Sequence, residues 1–233
     1  MYEDWSDIET ARPWSADTTG HNPVRTEQLD ILLSVLEGEY KPGSAILDMG
    51  MGSGLVEALI FERMPTAYVV GLDFSDAMIR LANERLAPFR GKYEVVMHDL
   101  KAIKDARLPA REYSVAISVQ TIHNVPHEHK RAAFRFIYDA LSPGGLFLLL
   151  DRIAIDTPSL FDCYDSIWRR QERVYNAHPR EGSTFKEHVE SVATRGDLPA
   201  SLEEHLQWLR DAGFEAACLH LHANRALFAA RRV

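Results

Sequence analysis

The chain has 233 residues, 46% hydrophobic and 26% charged, an ordinary globular composition that excludes collagen-like and disordered classes. Its 26 Lys and Arg against 34 Asp and Glu leave a net charge of −8, the wrong sign for a broad phosphate footprint, so no nucleic-acid partner is expected. Two cysteines, Cys163 and Cys218, cannot build a disulfide framework or a four-thiolate zinc site. The longest apolar runs are too short to span a bilayer, and no membrane association is expected. The acidic start, MYEDWSDIETARPW, lacks the basic-then-apolar order of a secretory leader, and a cytoplasmic location is expected.

Short apolar runs alternate with amphipathic stretches. Ser44 to Met49 reads as a strand entered through Pro42-Gly43, and Leu55 to Arg63 carries Leu55, Ala58 and Leu59 at helical spacing. Ala67 to Asp73 is a second strand, followed by a helix that Ser75 caps and that runs to Leu86. Tyr93 to Met97 is a third strand and Tyr113 to Val119 a fourth. A helix holding Ala132, Phe136 and Leu141 follows, broken by Pro143-Gly144-Gly145, and a fifth strand ends at Asp151. Strands alternating with helices predict an α/β fold, a parallel sheet covered on both faces.

After Asp151 the rhythm changes. Thr157-Pro158 starts a helix rich in aromatics to Tyr175, and a shorter helix covers Phe185 to Ala193. Ser201-Leu202-Glu203-Glu204 is a capping box for a helix ending at Gly213. Phe214 to Leu221 and Arg225 to Ala230 are strands joined tightly enough for a hairpin. One domain over 1–233 is the economical reading, with a helical insertion at 154–199.

The strongest chemical signal is Asp48-Met49-Gly50-Met51-Gly52-Ser53-Gly54, between the first strand and first helix. Alternate glycines let the backbone turn tightly and let a ligand lie against it. The spacing is not the dinucleotide pattern G-x-G-x-x-G. Asp73 ends the second strand nineteen residues after Gly54, where an open α/β sheet places a carboxylate on ribose hydroxyls. Asp99 follows the third strand on the same carboxyl edge, where such sheets bind ligands.

These residues resemble the class I S-adenosylmethionine-dependent methyltransferases from about Ala45 onward. ILDMGMGSG, GLDFSDAMIRLANERL and VMHDL resemble the first three motifs, and SVQTIHNVP and LSPGGLFLLLD the segments around the fourth and fifth strands. LRDAGFEAACLH…RALFAARR resembles the closing hairpin, which implies a seven-stranded, mostly parallel, Rossmann-like sheet. The resemblance implies S-adenosylmethionine as cofactor. Asp48 and the backbone at Gly50, Gly52 and Gly54 would hold its methionine part, Asp73 its ribose, and Phe74 would lie beside its adenine. Asp99 and Leu100 would meet the adenine amino edge, and Ser118 and Gln120 would lie near the sulfonium. Two departures stand out: Met51 where a smaller residue is usual, and Ser114 for a frequent aspartate.

Methyl transfer to a small-molecule acceptor is the expected reaction, and it needs a base only if the nucleophile must lose a proton. His123 is the candidate base, with Gln120 beside it in the catalytic set, and Asn124 could orient the acceptor. The 1–24 segment and the 154–199 insertion would roof the acceptor pocket, with Tyr164, Trp168, Tyr175 and His178 offering apolar area with polar tips. The same aromatics could instead pin a lid to the core. Arg169 and Arg170 could read a carboxylate, and Arg25 could meet the cofactor carboxylate. His220 and His222 alternate without a third ligand, so no metal is expected. A homodimer is a candidate assembly. The insertion and final hairpin also resemble the enzymes that make carboxy-S-adenosylmethionine for transfer-RNA modification, although no counterpart of their carboxylate-binding arginine is evident. A non-catalytic cofactor-binding protein is a further alternative.

Overall fold

The strand β1 (Ala45–Met49) is buried along its whole length in a computed structural model that describes residues 7–16, 24–175 and 184–233. Its side chains alternate between two apolar clusters. Ala45, Leu47 and Met49 enter one, and Ile46 enters the other. That two-sided burial is why such strands are apolar at every position.

β2 (Val69–Asp73), β3 (Tyr93–Met97), β4 (Tyr113–Val119) and β5 (Leu141–Arg152) extend the sheet in parallel, and β6 (Phe214–His222) and β7 (Arg225–Arg232) close it. The spatial order is β3-β2-β1-β4-β5-β7-β6, with β7 antiparallel to both its neighbours. The expected seven-stranded, mostly parallel sheet is therefore present. Order reverses between β1 and β4, which leaves a crevice at their carboxyl ends.

On one face, α2 (Arg25–Glu39) and α3 (Leu55–Arg63) bury Leu32, Leu36, Ile60 and Phe61. On the other, α5 (His127–Ala140) and α8 (Leu202–Asp211) bury Phe134, Ile137 and Leu209. α4 (Asp76–Arg85) begins at Ser75, whose hydroxyl accepts from Met78 N, and α1 (Ile8–Ala16) packs Ala11 against Ala77, Met78 and Leu81. The capping box at α8 forms in both directions, Glu204 N to Ser201 Oγ and Ser201 N to Glu204 Oε2.

One boundary differs from expectation. The helix α5 stops at Ala140, and Leu141 already pairs with Tyr113 as the start of β5. The register then jumps to Val115 with Leu146, so Pro143-Gly144-Gly145 is extruded from the ladder rather than preceding it. A Cβ on Gly145 would stand 2.8 Å from Ser142 O, which explains glycine at the close approach.

The insertion contains α6 (Phe161–Tyr175) and α7 (Phe185–Thr194), joined to α8 by the strap 195–201. Their aromatic residues Trp168 and Phe185 belong to neither sheet-flanking cluster.

Candidate functional site

The loop leaving β1 is folded back by backbone bonds: Gly50 N and Met51 N both donate to Leu72 O. Gly50, Gly52 and Gly54 all have positive φ, at 90°, 55° and 74°. A Cβ on Gly50 would lie 2.2 Å from the Thr121 methyl, so that glycine serves packing. A Cβ on Gly52 would meet nothing within 4 Å, so its outer side is open space. Met51, the unusually large loop residue, is accommodated by Gly71, where a Cβ would stand 2.6 Å from the Met51 sulfur.

Asp73 ties this loop to the next helix. Its Oδ2 accepts from Gly52 N at 2.8 Å and its Oδ1 from Ser75 N at 2.9 Å. Burial pushes its carboxyl up, partly opposed by those backbone donors. Beyond it Phe74 is 53% exposed, and Met97, the register partner of Asp73, is 59% exposed. Two large apolar side chains in water beside a carboxylate are the kind of exposure that marks a ligand surface. Asp99 is exposed and caps the following turn by accepting from Lys101 N, with Leu100 buried behind it.

Asp48 lies elsewhere than expected. It is buried beneath the loop with Glu57 of α3, and burial, then Glu57, then Asp73 push its carboxyl well above the ordinary range. Glu57 is also raised, chiefly by burial. Asp48 therefore supports the loop from below. Ser118 is likewise a strut: it is fully buried, and its hydroxyl donates to Met49 O at 2.7 Å.

Gln120, at the end of β4, holds a strained φ of 55°, and its buried Nε2 makes no hydrogen bond among the described residues. Next to it, Thr121 Oγ1 donates to Gly50 O, fastening β4 to the glycine loop. Arg85 donates to Ser53 O and Oγ at 2.5 and 2.6 Å. Arg25, at the start of α2, is held below its ordinary value by burial and by Arg85. Arg25 and Arg85 are thus near neighbours, with Arg85 on the loop at Ser53.

His123 lies in a short turn (Ile122–Asn124) after β4 and is 7% exposed. Its Nδ1 is 2.5 Å from Asp151 Oδ1, and its own backbone N–H donates to Asp151 Oδ2. Its Nε2 faces Asp197 Oδ2 at 3.8 Å, and Asp197 is paired with Arg152. Lys130, fully buried on α5, donates to Leu198 O. Asn124 is half-buried at the end of the same turn.

A sequence model described as a methyltransferase domain matches residues 46–145. Over that stretch the chain is similar to methyltransferase domains. It is 26% identical over 188 residues to a carboxy-S-adenosyl-L-methionine synthase of Trichlorobacter lovleyi, covering 79% of this chain and 75% of that protein. It is 35% identical over 136 residues to a trans-aconitate 2-methyltransferase of Streptomyces avermitilis, covering 57% of this chain and 45% of that enzyme. An O-methyltransferase family protein from Burkholderia thailandensis superposes with a TM-score of 0.70 at 15% identity, over 98% of this chain and 61% of the other. The chain thus spans less than two thirds of that solved protein.

The insertion is built around Phe185. Tyr164 stacks on it at 4.6 Å, and Trp168 meets it edge-on at 5.5 Å. Trp168 also meets His188, whose Nε2 bonds Asn224 in the hairpin turn, and Gln171 bonds His222. Tyr164 and Trp168 therefore join α6 to α7 within the insertion. Tyr175 is 39% exposed, Arg169 and Arg170 are exposed, and His178 lies outside the described residues. Among the described residues, no group of three His, Cys, Asp or Glu side chains is arranged for a metal ion, and no helix is long and apolar enough to cross a membrane.

Sequence reasoning missed Glu57, Asp151, Asp197 and Lys130. Glu57 sits at a position buried in the helix interior, and a carboxylate there was the available signal.

Proposed function

We propose that the protein transfers a methyl group from S-adenosylmethionine to a small-molecule acceptor. The observation that carries this reading is the carboxylate of Asp73 at the sheet's crevice, tied to Gly52 on one side and flanked by exposed Phe74 on the other. The residues fit the cofactor. The open side of Gly52 admits it, Asp73 suits two ribose hydroxyls, Phe74 offers an apolar face for a purine, and Asp99 with the Leu100 N–H suits the purine's amino edge. Arg25 and Arg85 suit its carboxylate, and the Gln120 amide, which makes no hydrogen bond among the described residues, would face the acceptor side. When bound, the sulfonium supplies an electrophilic methyl and its own leaving group.

The chain's part is alignment and water exclusion. His123 is the candidate base for an acceptor hydroxyl or amine, taking the proton at Nε2, and Asn124 would orient the acceptor. The insertion at 154–199, together with the 1–24 segment, would cover the acceptor in a single domain, which we place in the cytoplasm. Calorimetry should show S-adenosylmethionine binding, and Asp73→Asn should weaken it roughly 10- to 100-fold, the loss expected for charge-assisted hydrogen bonds. Undetectable binding by the wild type at millimolar cofactor would defeat the reading.

A second reading, carboxy-S-adenosylmethionine synthesis, is favoured by relatives of that name that match three quarters of the chain, such as the Trichlorobacter lovleyi protein. Mass spectrometry of ligand retained through purification separates the two, since a carboxyl replaces one methyl hydrogen and the product is heavier than S-adenosylmethionine by the mass of carbon dioxide.

A further inference from the structure

The rings of Trp168 and Phe185 belong to neither apolar cluster flanking the sheet, so polar bonds between α6 and the sheet carry more of its hold. One such bond joins Gln171, near the end of α6, to His222, the last residue of β6, with Nε2 to Nε2 at 2.7 Å. Gln171 is 8% exposed and His222 is half-buried. A carboxamide nitrogen only donates hydrogen bonds, so the ring nitrogen opposite it must be the acceptor. His222 therefore carries its proton on Nδ1, presents a bare Nε2 to Gln171, and is uncharged.

The surroundings of His222 favour that uncharged form. His220 lies two residues back on β6, Arg170 precedes Gln171 on α6, and Arg225 is the register partner on β7. Glu27 on α2 is the opposing carboxylate. Burial first, then His220 and Arg170, hold the imidazole below its ordinary value, against the pull of Glu27. A proton arriving at Nε2 sets an N–H against the two N–H groups of the amide, with Arg170 adding like charge.

We propose that the Gln171–His222 bond is an acid-released tie: uncharged His222 holds α6 to the closing hairpin, and a proton on Nε2 frees the helix. The proposal rests on the methyltransferase reading only for what the insertion covers, the acceptor side of the crevice. At neutral pH the cover is held, and in acid its open state gains population. Because the folded value is depressed, the tie is complete above the ordinary imidazole range and is lost as pH falls through the titration of His222.

The test reads amide-exchange protection along α6 against pH, without cofactor, together with nitrogen NMR of the His222 ring. Wild type should show the Nδ1–H tautomer at neutral pH. Its α6 protection should fall by roughly five- to tenfold as His222 gains its proton, the worth of one hydrogen bond. Gln171→Leu should abolish that step and bring His222 nearer its ordinary titration. Gln171→Glu should invert it: the carboxylate accepts from Nε2–H, so α6 protection rises as His222 gains its proton. If neither variant folds, the wild-type tautomer still decides. An Nε2–H tautomer in wild type, an unchanged step in Gln171→Leu, or an equal loss at Leu47 and Ala116 in the sheet overturns the proposal. Calorimetry with S-adenosylmethionine on wild type keeps the two readings apart, because failure to bind cofactor leaves the exchange result intact.

Discussion

At the scale of single residues, the glycine loop separates two demands that its sequence merges. Gly50 lacks a side chain because Thr121 fills the space, whereas Gly52 borders open space. Gly52→Ala should therefore cost only the left-handed strain of about 1–2 kcal/mol, yet weaken cofactor binding by more than any shared loss of folding explains. Thermal melting and calorimetry on one preparation check this, and equal binding by the variant would remove Gly52 from the site. The buried pair Asp48 and Glu57 carries a different signature. Both carboxyl groups hold protons more tightly in the folded chain than in the unfolded one, so their contribution to stability falls as pH rises out of the ordinary carboxylate range. Asp48→Asn removes the larger penalty, and its melting temperature relative to wild type should climb as pH rises above the ordinary carboxylate range. A difference that stays flat across that range would mean that Asp48 is ionised in the fold. The sequence showed Asp48 as one of three acids at strand ends, but only the fold shows that it faces Glu57 rather than the crevice.

At the scale of elements, what was legible had a local cause. Ser75 and Ser201 announce helices because a cap acts within three residues, and both caps form. β1 and β4 were legible because burial on both faces demands unbroken apolar runs. The start of β5 was not, because Leu141 continues the helical spacing of α5 and only pairing with Tyr113 draws it into the sheet. The clasp of the insertion was half legible. Its aromatics were plain, but their convergence on Phe185 depends on a helix that begins ten residues beyond Tyr175. The His123 network was hidden for the same reason. His123, Asp151 and Asp197 lie on a turn, a strand end and a strap with long stretches of chain between them, and no spacing rule links them.

At the scale of the whole molecule, chain order and sheet order together place Asp73 and Asp99 on one rim, which is why they could be named before the fold was known. That rim rests on the sheet and its two apolar clusters, while the aromatic clasp of α6 and α7 lies outside both. Cofactor binding and insertion stability should therefore separate. At about a hundredfold over its dissociation constant a ligand stabilises the folded state by about 2.7 kcal/mol, which in a chain of this size raises the melting temperature by roughly 5–10 °C. Wild type should show that rise with S-adenosylmethionine. Asp73→Asn should lose most of it at the same concentration, because its carboxylate is part of the rim. Phe185→Ala should keep it, although proteolysis within α6 and α7 should quicken as the hub of the clasp is removed. If Phe185→Ala loses the rise as fully as Asp73→Asn, the insertion is part of the cofactor's binding surface, and the division between rim and clasp drawn from the two clusters fails.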